Sequence, residues 1–503
     1  MTEEDEVLEK YTVEADRVPA QIKIKDTGDY VLRYELKRPQ PSAATEALLD
    51  NIREETIANV DISADSFEDS NQVEESRKLF RDEAKQLMKN QLPEMSDRKL
   101  ETLIGNLIHE MLGMGDVEIL LEDNNLEEIV INNSEEPAWT YHKEHGWLKT
   151  DIKFEDADEI YNYASEIGRG VGKNISSLHP LLDAHLPSGD RTNATLNPIS
   201  TQGNTITIRK FARDPWTITD FIKIGTISPE MSAFLWFCIQ YEMNVIISGG
   251  TGTGKTSLLN VLTPFMPPSQ RIISIEDTRE LSLPEFLHWV PMTTREKNPD
   301  GAGEVSMQDL LVNSLRMRPD RILVGEIRRK RQAEVLFEAM QTGHSVYSTL
   351  HADTAKTTIK RMTHPPIDVP ETVVGAVDLN VVMFRDRRRN FRRVLEIAEV
   401  IDKGEDISPH TLYSWDSQED AFYKEGKSKE VKDKLSRLTG LSSEEIEENI
   451  EAKTTILKWL VRHDVSDLDK VGKVVAEYYS SEDETLEKIK EDSNPKEIIP
   501  LEQ

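Results

Sequence analysis

Cysteine is almost absent from this chain, because its 503 residues include one, Cys238. A single thiol cannot form a disulfide within the chain, which fits a reducing compartment. The apolar stretch 234–239 has the pattern of a buried helix, so we predict a core position for Cys238. No apolar run approaches the roughly 20 residues that span a bilayer. Residues 1–6 are acidic and lack the basic and apolar regions of a signal peptide, so we expect a cytoplasmic protein, held at a membrane through a partner.

Positive charge is outnumbered by negative charge: 61 lysines and arginines stand against 92 aspartates and glutamates, and the formal net charge is −31. Such an excess argues against a protein that binds duplex nucleic acid, although a local basic groove is compatible with it. Two interpretations of the acidity stay open, a highly soluble surface and electrostatic steering toward a basic partner. The length predicts two or three domains.

The patterning along the chain predicts four segments. Residues 1–75 are acidic, with a polar patch at 61–76, which indicates a loosely ordered segment. In 76–215, apolar residues at helical spacing give way to short apolar runs and turn signals, which predicts an α+β domain. Residues 216–400 alternate strands and helices, the signature of a doubly wound α/β domain. We expect residues 401–503 to form a charged helical extension.

The predicted elements of the α/β segment can be placed closely. A linker at 213–216 precedes it. Strands are predicted at 244–248, 271–276, 321–325 and 345–350, and helices at 255–262, 306–316 and 330–342.

A glycine-rich loop between the first of these strands and the first helix is the most specific motif. It comprises Gly249, Gly250, Thr251, Gly252, Thr253, Gly254, Lys255 and Thr256, followed by Ser257. In this pattern the glycines let successive N–H groups point at phosphate oxygens, and the helix N-terminus adds partial positive charge. Lys255 can reach the β- and γ-phosphates, and the Thr256 hydroxyl can hold Mg²⁺. The strand–loop–helix context disfavours a glycine-rich turn without a ligand, and the glycine spacing does not match the dinucleotide fingerprint.

Acidic residues follow two of the later strands. Glu276, Asp277 and Glu280 lie at the end of the strand 271–276, and Glu326 follows the next strand along the chain. Carboxylates at the carboxyl edge of a parallel sheet lie where such folds bind ligands, and they can orient a water or hold the hydration shell of a metal. A solvated turn is the alternative interpretation. The second strand resembles a Walker B strand with a glycine before Glu326, so we expect Glu326 to reach the metal through water.

Two histidines, His344 and His351, bracket the strand 345–350. At the rise of an extended strand they would lie roughly 23 Å apart, which excludes a shared metal ion. A histidine at a strand end can hydrogen-bond a phosphate or a catalytic carboxylate, and two purely structural histidines are the alternative. Because the chain has no pair of cysteines, we predict no structural zinc.

The order of these motifs resembles that of the secretion ATPase superfamily of type II secretion and type IV pili. The segments 293–296 and 315–320 look most like its archaeal branch, which includes pilus-assembly ATPases and the archaellum motor ATPase. The resemblance covers roughly residues 115–400 and reaches the segments 183–191 and 206–211. It implies a RecA-like P-loop ATPase domain preceded by an α+β N-terminal domain, with the helical extension after it.

The resemblance also implies roles for individual residues. Glu280 matches the catalytic glutamate that orients the attacking water, and Glu326 matches the Walker B acid. Arg191 and Arg209 match arginines that the N-terminal domain points at the γ-phosphate. The histidine box, His344 and His351, is thought to sense the nucleotide, and Glu276 and Asp277 belong to the acidic box beside it. The implied ligands are ATP and Mg²⁺, without zinc.

By the same resemblance the chain forms a homo-hexamer that powers assembly of a pilus or archaellum, or secretion, through a polytopic membrane platform protein. Two alternatives stay open. One is a regulatory protein that hydrolyses ATP slowly and acts as a switch or scaffold. The other is a nucleic-acid or conjugation-type translocase, against which the net charge of −31 counts.

Overall fold

The computed structural model describes residues 6–39, 41–59, 70–186, 188–211, 215–295, 297, 302–404 and 407–499. The chain divides into two units, Met1–Arg213 and Asp214–Gln503. The division falls inside the predicted linker at 213–216, although residues 213 and 214 themselves lie outside the described ranges.

The first unit combines one large sheet with a small helical layer. Its elements are β1 (Glu6–Ala15), β2 (Val18–Asp26), β3 (Arg33–Lys37), α1 (Ala43–Asn59), α2 (Ser70–Gln91), α3 (Asp97–Leu112), α4 (Val117–Glu122), β4 (Leu126–Ile131), β5 (Trp139–His142), β6 (Gly146–Thr150), α5 (Ala157–Gly170), β7 (Leu181–His185), β8 (Arg191–Thr195) and β9 (Thr205–Arg209). Over the described residues the strands form one sheet in the order β1-β2-β3-β6-β5-β4-β9-β8-β7. Apolar side chains of α1, α2 and α3 form a core of their own.

Strands β1, β2 and β3 correct the expectation of a loosely ordered segment over residues 1–75. Strand β2 alternates buried and partly exposed side chains, and its buried members are Val18, Ala20, Ile22 and Ile24. A period of two puts all of these on one face, which packs on the core while Pro19, Gln21 and Lys23 between them face outward. Of that segment, residues 1–5, 40 and 60–69, with most of the polar patch, lie outside the described ranges.

Glu9, His142 and His145 form a cluster in the first unit whose potential metal-ligating atoms all lie within 4.8 Å of one another. The Nδ1 atom of His142 accepts the backbone N–H groups of Glu144 (3.2 Å) and His145 (3.3 Å). The proton of neutral His142 therefore sits on Nε2, which faces Glu9 Oε2 at 4.0 Å. A metal-bound histidine donates a proton from its other ring nitrogen, so this donor set does not fit a metal well.

The second unit contains α6 (Ile218–Lys223), α7 (Pro229–Gln240), β10 (Val245–Gly249), α8 (Lys255–Leu262), β11 (Ile272–Glu276), β12 (Trp289–Thr293), α9 (Met307–Ser314), β13 (Arg321–Val324), α10 (Lys330–Gln341), β14 (Ser345–Leu350), α11 (Ala355–Thr363), α12 (Glu371–Val374), β15 (Leu379–Asp386), β16 (Phe391–Asp402), β17 (Ile407–Asp416), β18 (Ala421–Lys424), α13 (Glu430–Thr439), α14 (Ser443–Arg462), α15 (Leu468–Ser480), α16 (Glu482–Lys490) and α17 (Pro495–Ile498). In the part of the unit that the structure describes, the strand order is β12-β11-β13-β14-β10-β15-β16-β17-β18.

Strands β10 to β15 pair in parallel, and a helix precedes each of β11, β13, β14 and β15, in keeping with the predicted alternation. Strand β10, which leads into the glycine-rich loop, lies between β14 and β15. Both faces of such a strand are covered, and every residue of β10 is buried. The carboxyl ends of β10, β11, β13 and β14 therefore meet at one edge of the sheet, where the loop emerges.

The predicted boundary at residue 400 does not coincide with the end of this sheet. Strand β16 runs through it to Asp402, and β17 and β18 extend the sheet by antiparallel pairing as far as Lys424. The physical reason is that β15 would otherwise present an unpaired edge, which β16 covers. Helices begin only at Glu430, so the helical part of the extension is shorter than 401–503.

The C-terminal helices complete the core of the second unit. In α7, all residues from Met231 to Ile239 are buried, including Cys238 as predicted. A helix that is apolar all round needs cover on every side, and α14 and α15 supply part of it. The ammonium of Lys453 on α14 is buried there, 4.8 Å from the ring of Tyr478 and 5.4 Å from that of Trp236. Burial lowers the pKa of Lys453 to about 7. Along the described residues, no helix combines the length and apolar character needed to cross a membrane.

Candidate nucleotide-binding site

The glycine-rich loop leaves β10 and enters α8 through residues with left-handed backbone. Gly252 has φ +71° and Gly254 has φ +92°, a region that other residues adopt only with strain. A Cβ on Gly249 would lie 2.6 Å from the carbonyl oxygen of Met383, so the loop also needs glycine for its close approach to β15. Helix α8 begins at Lys255, with Thr256 and Ser257 in its first turn. The backbone therefore curls as a phosphate-binding loop does.

Lys255 is buried at the mouth of this loop. Its Nζ donates to the carbonyl oxygen of Gly250 at 3.0 Å and lies 3.3 Å from Nδ1 of His351. Burial lowers the pKa of Lys255, while the nearby carboxylates of Glu326, Glu280 and Asp353 raise it in part. A cation held in a partly desolvated site among acids is suited to receive the negative charge of a phosphate.

A chain of polar contacts runs from Lys255 to the second acidic strand end. An ammonium group can only donate, so Nδ1 of His351 accepts and its Nε2 carries the ring proton. That Nε2 lies 3.0 Å from Oε1 of Glu326. Arg328 donates to Oε2 of Glu326 at 2.8 Å and to Asp277 at 3.0 Å. Burial, and then the charge of Lys255, lower the pKa of His351, which keeps its ring neutral. The structure thus brings together four residues that the sequence predicted: Lys255, Asp277, Glu326 and His351.

Glu276 was predicted to contact the nucleotide, but in the structure its side chain points into the protein. Its side chain is buried, and Oε1 accepts the backbone N–H groups of Glu280 (2.9 Å) and Leu281 (3.1 Å). Asn260 on α8 accepts the N–H of Ser282 at 2.8 Å. The carboxylate of Glu276 therefore fixes the loop that carries Glu280, because a side chain at the end of β11 faces the core and not the edge.

Arg191 and Arg209 belong to the first unit and face each other across the β8–β9 pair. Arg191 binds Asp183 with two hydrogen bonds, of 3.1 and 2.7 Å. Arg209 lies opposite Glu128 on the other side, in the β4–β9 pair. Directly opposed positions of adjacent strands put the two arginines on the same face of the sheet, and their approach to a γ-phosphate stays a prediction.

The structure does not bring His344 to the nucleotide site. His344 precedes β14, whereas His351 follows it, and the parallel register pairs Ser248 with Leu350 at the loop edge. Because the strand separates the two histidines, His344 lies at the opposite edge of the sheet. There its Nδ1 is 3.1 Å from the hydroxyl of Thr342 and 3.2 Å from the carbonyl oxygen of Ala339.

Residues 111–374 match the family described as Type II/IV secretion system protein. Uncharacterized protein MJ0900 of Methanocaldococcus jannaschii is 34% identical over 398 residues, which cover 77% of this chain and 70% of that protein. The chain belongs to this family.

Two further relatives of this type II/IV secretion protein differ more. The Type IV secretion system protein PtlH homolog of Bordetella bronchiseptica is 29% identical over 312 residues, covering 55% of this chain and 91% of that protein. The crystal structure of the pilus retraction motor PilT with bound ADP aligns with 76% of this chain and 97% of that chain, at 19% identity and a TM-score of 0.41.

The family, the phosphate loop and the parallel sheet agree with one another. The second unit of this type II/IV secretion protein is a RecA-like P-loop domain, and the chain is an ATP hydrolase. The resemblance and the fold class inferred from the sequence motifs are confirmed.

Three residues of the secretion ATPase site were missed at the sequence level. Arg328 joins Glu326 to Asp277, Asp353 lies 3.4 Å from the position of a Cβ on Gly250, and Arg392 contacts Gly252. Arg328 and Asp353 each follow a predicted strand end by only a few residues, and that position was the available signal. Arg392 gave no such signal, since its strand was not predicted.

Glu276 makes the stability of this secretion ATPase depend on pH. Burial raises the pKa of Glu276 from 4.5 to about 7, although the two N–H donors lower it in part. Between pH 4.5 and about pH 7, the folded chain therefore keeps a proton on Glu276 that the unfolded chain has lost. The free energy of unfolding consequently falls as the pH rises through this window. We expect Glu276→Gln to remove that loss. The variant should melt at a higher temperature than the wild type, and this advantage should be larger at pH 8 than at pH 5. Between the two pH values, the advantage in free energy of unfolding should grow by about 2 to 3 kcal/mol.

The measurement is thermal unfolding of both proteins, free of nucleotide, at several pH values. Glu285→Gln serves as the matched control, because Glu285 is an exposed glutamate that follows Glu276 in the connection between β11 and β12. A difference between wild type and Glu276→Gln that does not change with pH would contradict this account.

Proposed function

We propose that this chain is a homo-hexameric motor that converts ATP hydrolysis into domain motion and so powers assembly of a pilus or archaellum filament, or secretion by a related machine. It would act in the cytoplasm, at the inner face of the cell membrane, through a polytopic platform protein. The family to which the chain belongs, and its relative PtlH of a type IV secretion system, support a secretion machine.

The contact between Lys255 and His351 is the observation that carries the motor proposal. Lys255 would have to turn from His351 toward the phosphates when ATP binds. His351 then loses a cationic partner while its other nitrogen still faces Glu326. Binding at the loop would therefore be transmitted to the acid that follows β13, and chemistry would be linked to movement through a shared side chain.

Mg²⁺ fits the oxygen donors that the site offers. The Thr256 hydroxyl in the first turn of α8 would ligate the ion directly, and Glu326 would act through water. When bound, the ion neutralises charge on the β- and γ-phosphates. Glu280 would orient the attacking water, and Arg191 and Arg209 would add charge neutralisation at the γ-phosphate. His344 is not included, because it lies at the other edge of the sheet.

The test of this proposal is ATP hydrolysis against protein concentration, with the mass of the particle measured with and without a non-hydrolysable ATP analogue. We expect cooperative hydrolysis that rises as hexamers form, because a motor of this kind couples neighbouring sites. A monomer that binds ATP with negligible turnover at every concentration would favour the switch instead. Stimulation of hydrolysis by DNA or RNA at low salt would favour a translocase.

A further inference from the structure

A cationic hairpin lies beside the phosphate loop in this otherwise acidic chain. The end of β15, the turn and the start of β16 carry six arginines: Arg385, Arg387, Arg388, Arg389, Arg392 and Arg393. The turn is fixed from within, since Asp386 accepts the backbone N–H groups of Arg388 (2.8 Å) and Arg389 (3.0 Å). The hairpin therefore presents its arginines from a defined backbone.

Two of these arginines contact the loop at Gly252. Nε of Arg392 donates to the carbonyl oxygen of Gly252 at 3.2 Å. Nη1 of Arg385 lies 2.9 Å from where a Cβ on Gly252 would be, and the side chain of Arg392 lies 3.4 Å from the corresponding position on Gly254. The hairpin thus packs against the turn of the loop on the β15 side.

The direction of one peptide follows from this contact. The Gly252–Thr253 bond is not among the cis peptides of the described chain, so its C=O and N–H point in opposite directions. Since the carbonyl faces Arg392, the N–H of Thr253 points away from the hairpin. In the strand order, β14 with His351 and β15 with the hairpin flank β10 on opposite sides. The N–H is therefore directed away from the hairpin, toward the opposite side of the loop.

A peptide that follows a glycine at φ +71° needs such a restraint. Glycine adopts positive and negative φ with similar ease, so its peptide can rotate and present the carbonyl in place of the N–H. A carbonyl oxygen in a phosphate site would repel the ligand that an N–H attracts. The hydrogen bond from a charged guanidinium opposes that rotation.

We propose that Arg392 is a positioning residue, which holds the Thr253 N–H on the phosphate side of the loop and so sets the affinity for nucleoside polyphosphates. The inference rests on the proposed ATPase site and concerns a residue that acts through the backbone of the loop. Arginines would then have two different roles in this chain. Arg191 and Arg209 would neutralise phosphate charge, whereas Arg392 orients the backbone that binds phosphate.

Arg392→Met and Arg392→Lys form the matched pair that tests this. Methionine keeps the stem of the side chain as far as the position of Nε and removes the donor, whereas lysine keeps a donor that can reach Gly252. We expect Arg392→Met to weaken binding of ADP in the presence of Mg²⁺ by about tenfold, the effect of losing one charge-assisted hydrogen bond. KM for ATP should rise with it, while kcat changes by less than about threefold, because the hydrolytic groups stay in place.

Arg392→Lys should regain most of the affinity, and Arg389→Ala, at the exposed turn of the same hairpin, should bind as the wild type does. Calorimetry with ADP and Mg²⁺ gives the affinities, and thermal unfolding of the nucleotide-free proteins confirms that each variant is folded. A folded Arg392→Met variant with wild-type affinity and KM overturns the inference alone. A wild type that binds no ADP overturns the proposed nucleotide site and the inference together.

Discussion

Replacing Lys255 with alanine is expected to lower kcat for ATP hydrolysis by at least about a hundredfold, the usual cost of removing one preorganised electrostatic contact to the transition state. The ammonium lies within 3.3 Å of both the Gly250 carbonyl and His351, at the point where the loop enters α8. In phosphoryl transfer the protein contributes mainly positioning and charge neutralisation. The methyl group of alanine can neither neutralise charge on the γ-phosphate nor donate a hydrogen bond to it. The measurement is steady-state hydrolysis at saturating ATP and Mg²⁺.

Lys330→Ala is the matched control, because Lys330 is an exposed lysine of the same unit that pairs with Asp368. It should hydrolyse ATP at the wild-type rate. A second readout does not depend on activity. The charge of Lys255 lowers the pKa of His351, so Lys255→Ala should raise the pKa of that histidine in a nuclear magnetic resonance titration. Undiminished hydrolysis, or an unmoved His351 pKa, would contradict the contact described here.

Glu280→Gln is the second substitution for which we expect a large loss, about a hundredfold or more in kcat, with nucleotide affinity retained. The backbone of Glu280 is held by Glu276, and the loop beyond it by Asn260 of α8. Because Glu280 is hydrogen-bonded to the last residue of β11, it lies at the edge of the sheet where the phosphate loop emerges, and its charge raises the pKa of Lys255. A glutamine keeps the shape of the side chain but cannot accept a proton from water, so chemistry should fail and binding should not.

Hydrolysis and ADP binding measured on the same preparation test that separation. Glu338→Gln, an exposed glutamate on α10, should leave both unchanged. If Glu280→Gln hydrolyses ATP as the wild type does, the residue that orients water is another acid of the site, such as Glu326 beside His351. If it loses binding as well, its role is structural.

The centre of the second unit could be predicted from the sequence because local and tertiary signals agree there. Strands β10, β11, β13 and β14 are short apolar runs between helices that begin or end at recognisable caps, such as Ser306 before α9. The phosphate loop then identifies which end of the sheet binds ligand. Strand β12, with its partly exposed residues from Trp289 to Thr293, lacked the continuous apolar pattern and was not predicted.

The parts that were missed share a physical cause. β16 begins Phe-Arg-Arg-Val and β1 carries four charged residues, so neither shows the continuous apolar run by which the buried strands were predicted. The alternation of buried and exposed positions in β2 was present, but its period of two was obscured by the acidic residues around it. Glu276 could not be told from Asp277 for a related reason. Whether a strand-end carboxylate faces the core or the edge depends on one step of the pleat.

Helix α7 makes the catalytic domain depend on the C-terminal helices, so the two are expected to evolve together. The family match ends at residue 374, but the side chains that cover the apolar surface of α7 come partly from α14 and α15, well beyond it. Trp236 donates to the hydroxyl of Tyr479 at 2.7 Å, and that hydroxyl donates in turn to the carbonyl oxygen of Phe265, just after the phosphate-loop helix. A gene shortened before these helices would therefore lose more than an appendage. A relative that lacks α14 and α15 must replace apolar residues of α7 with polar ones, or bury the same surface under another segment.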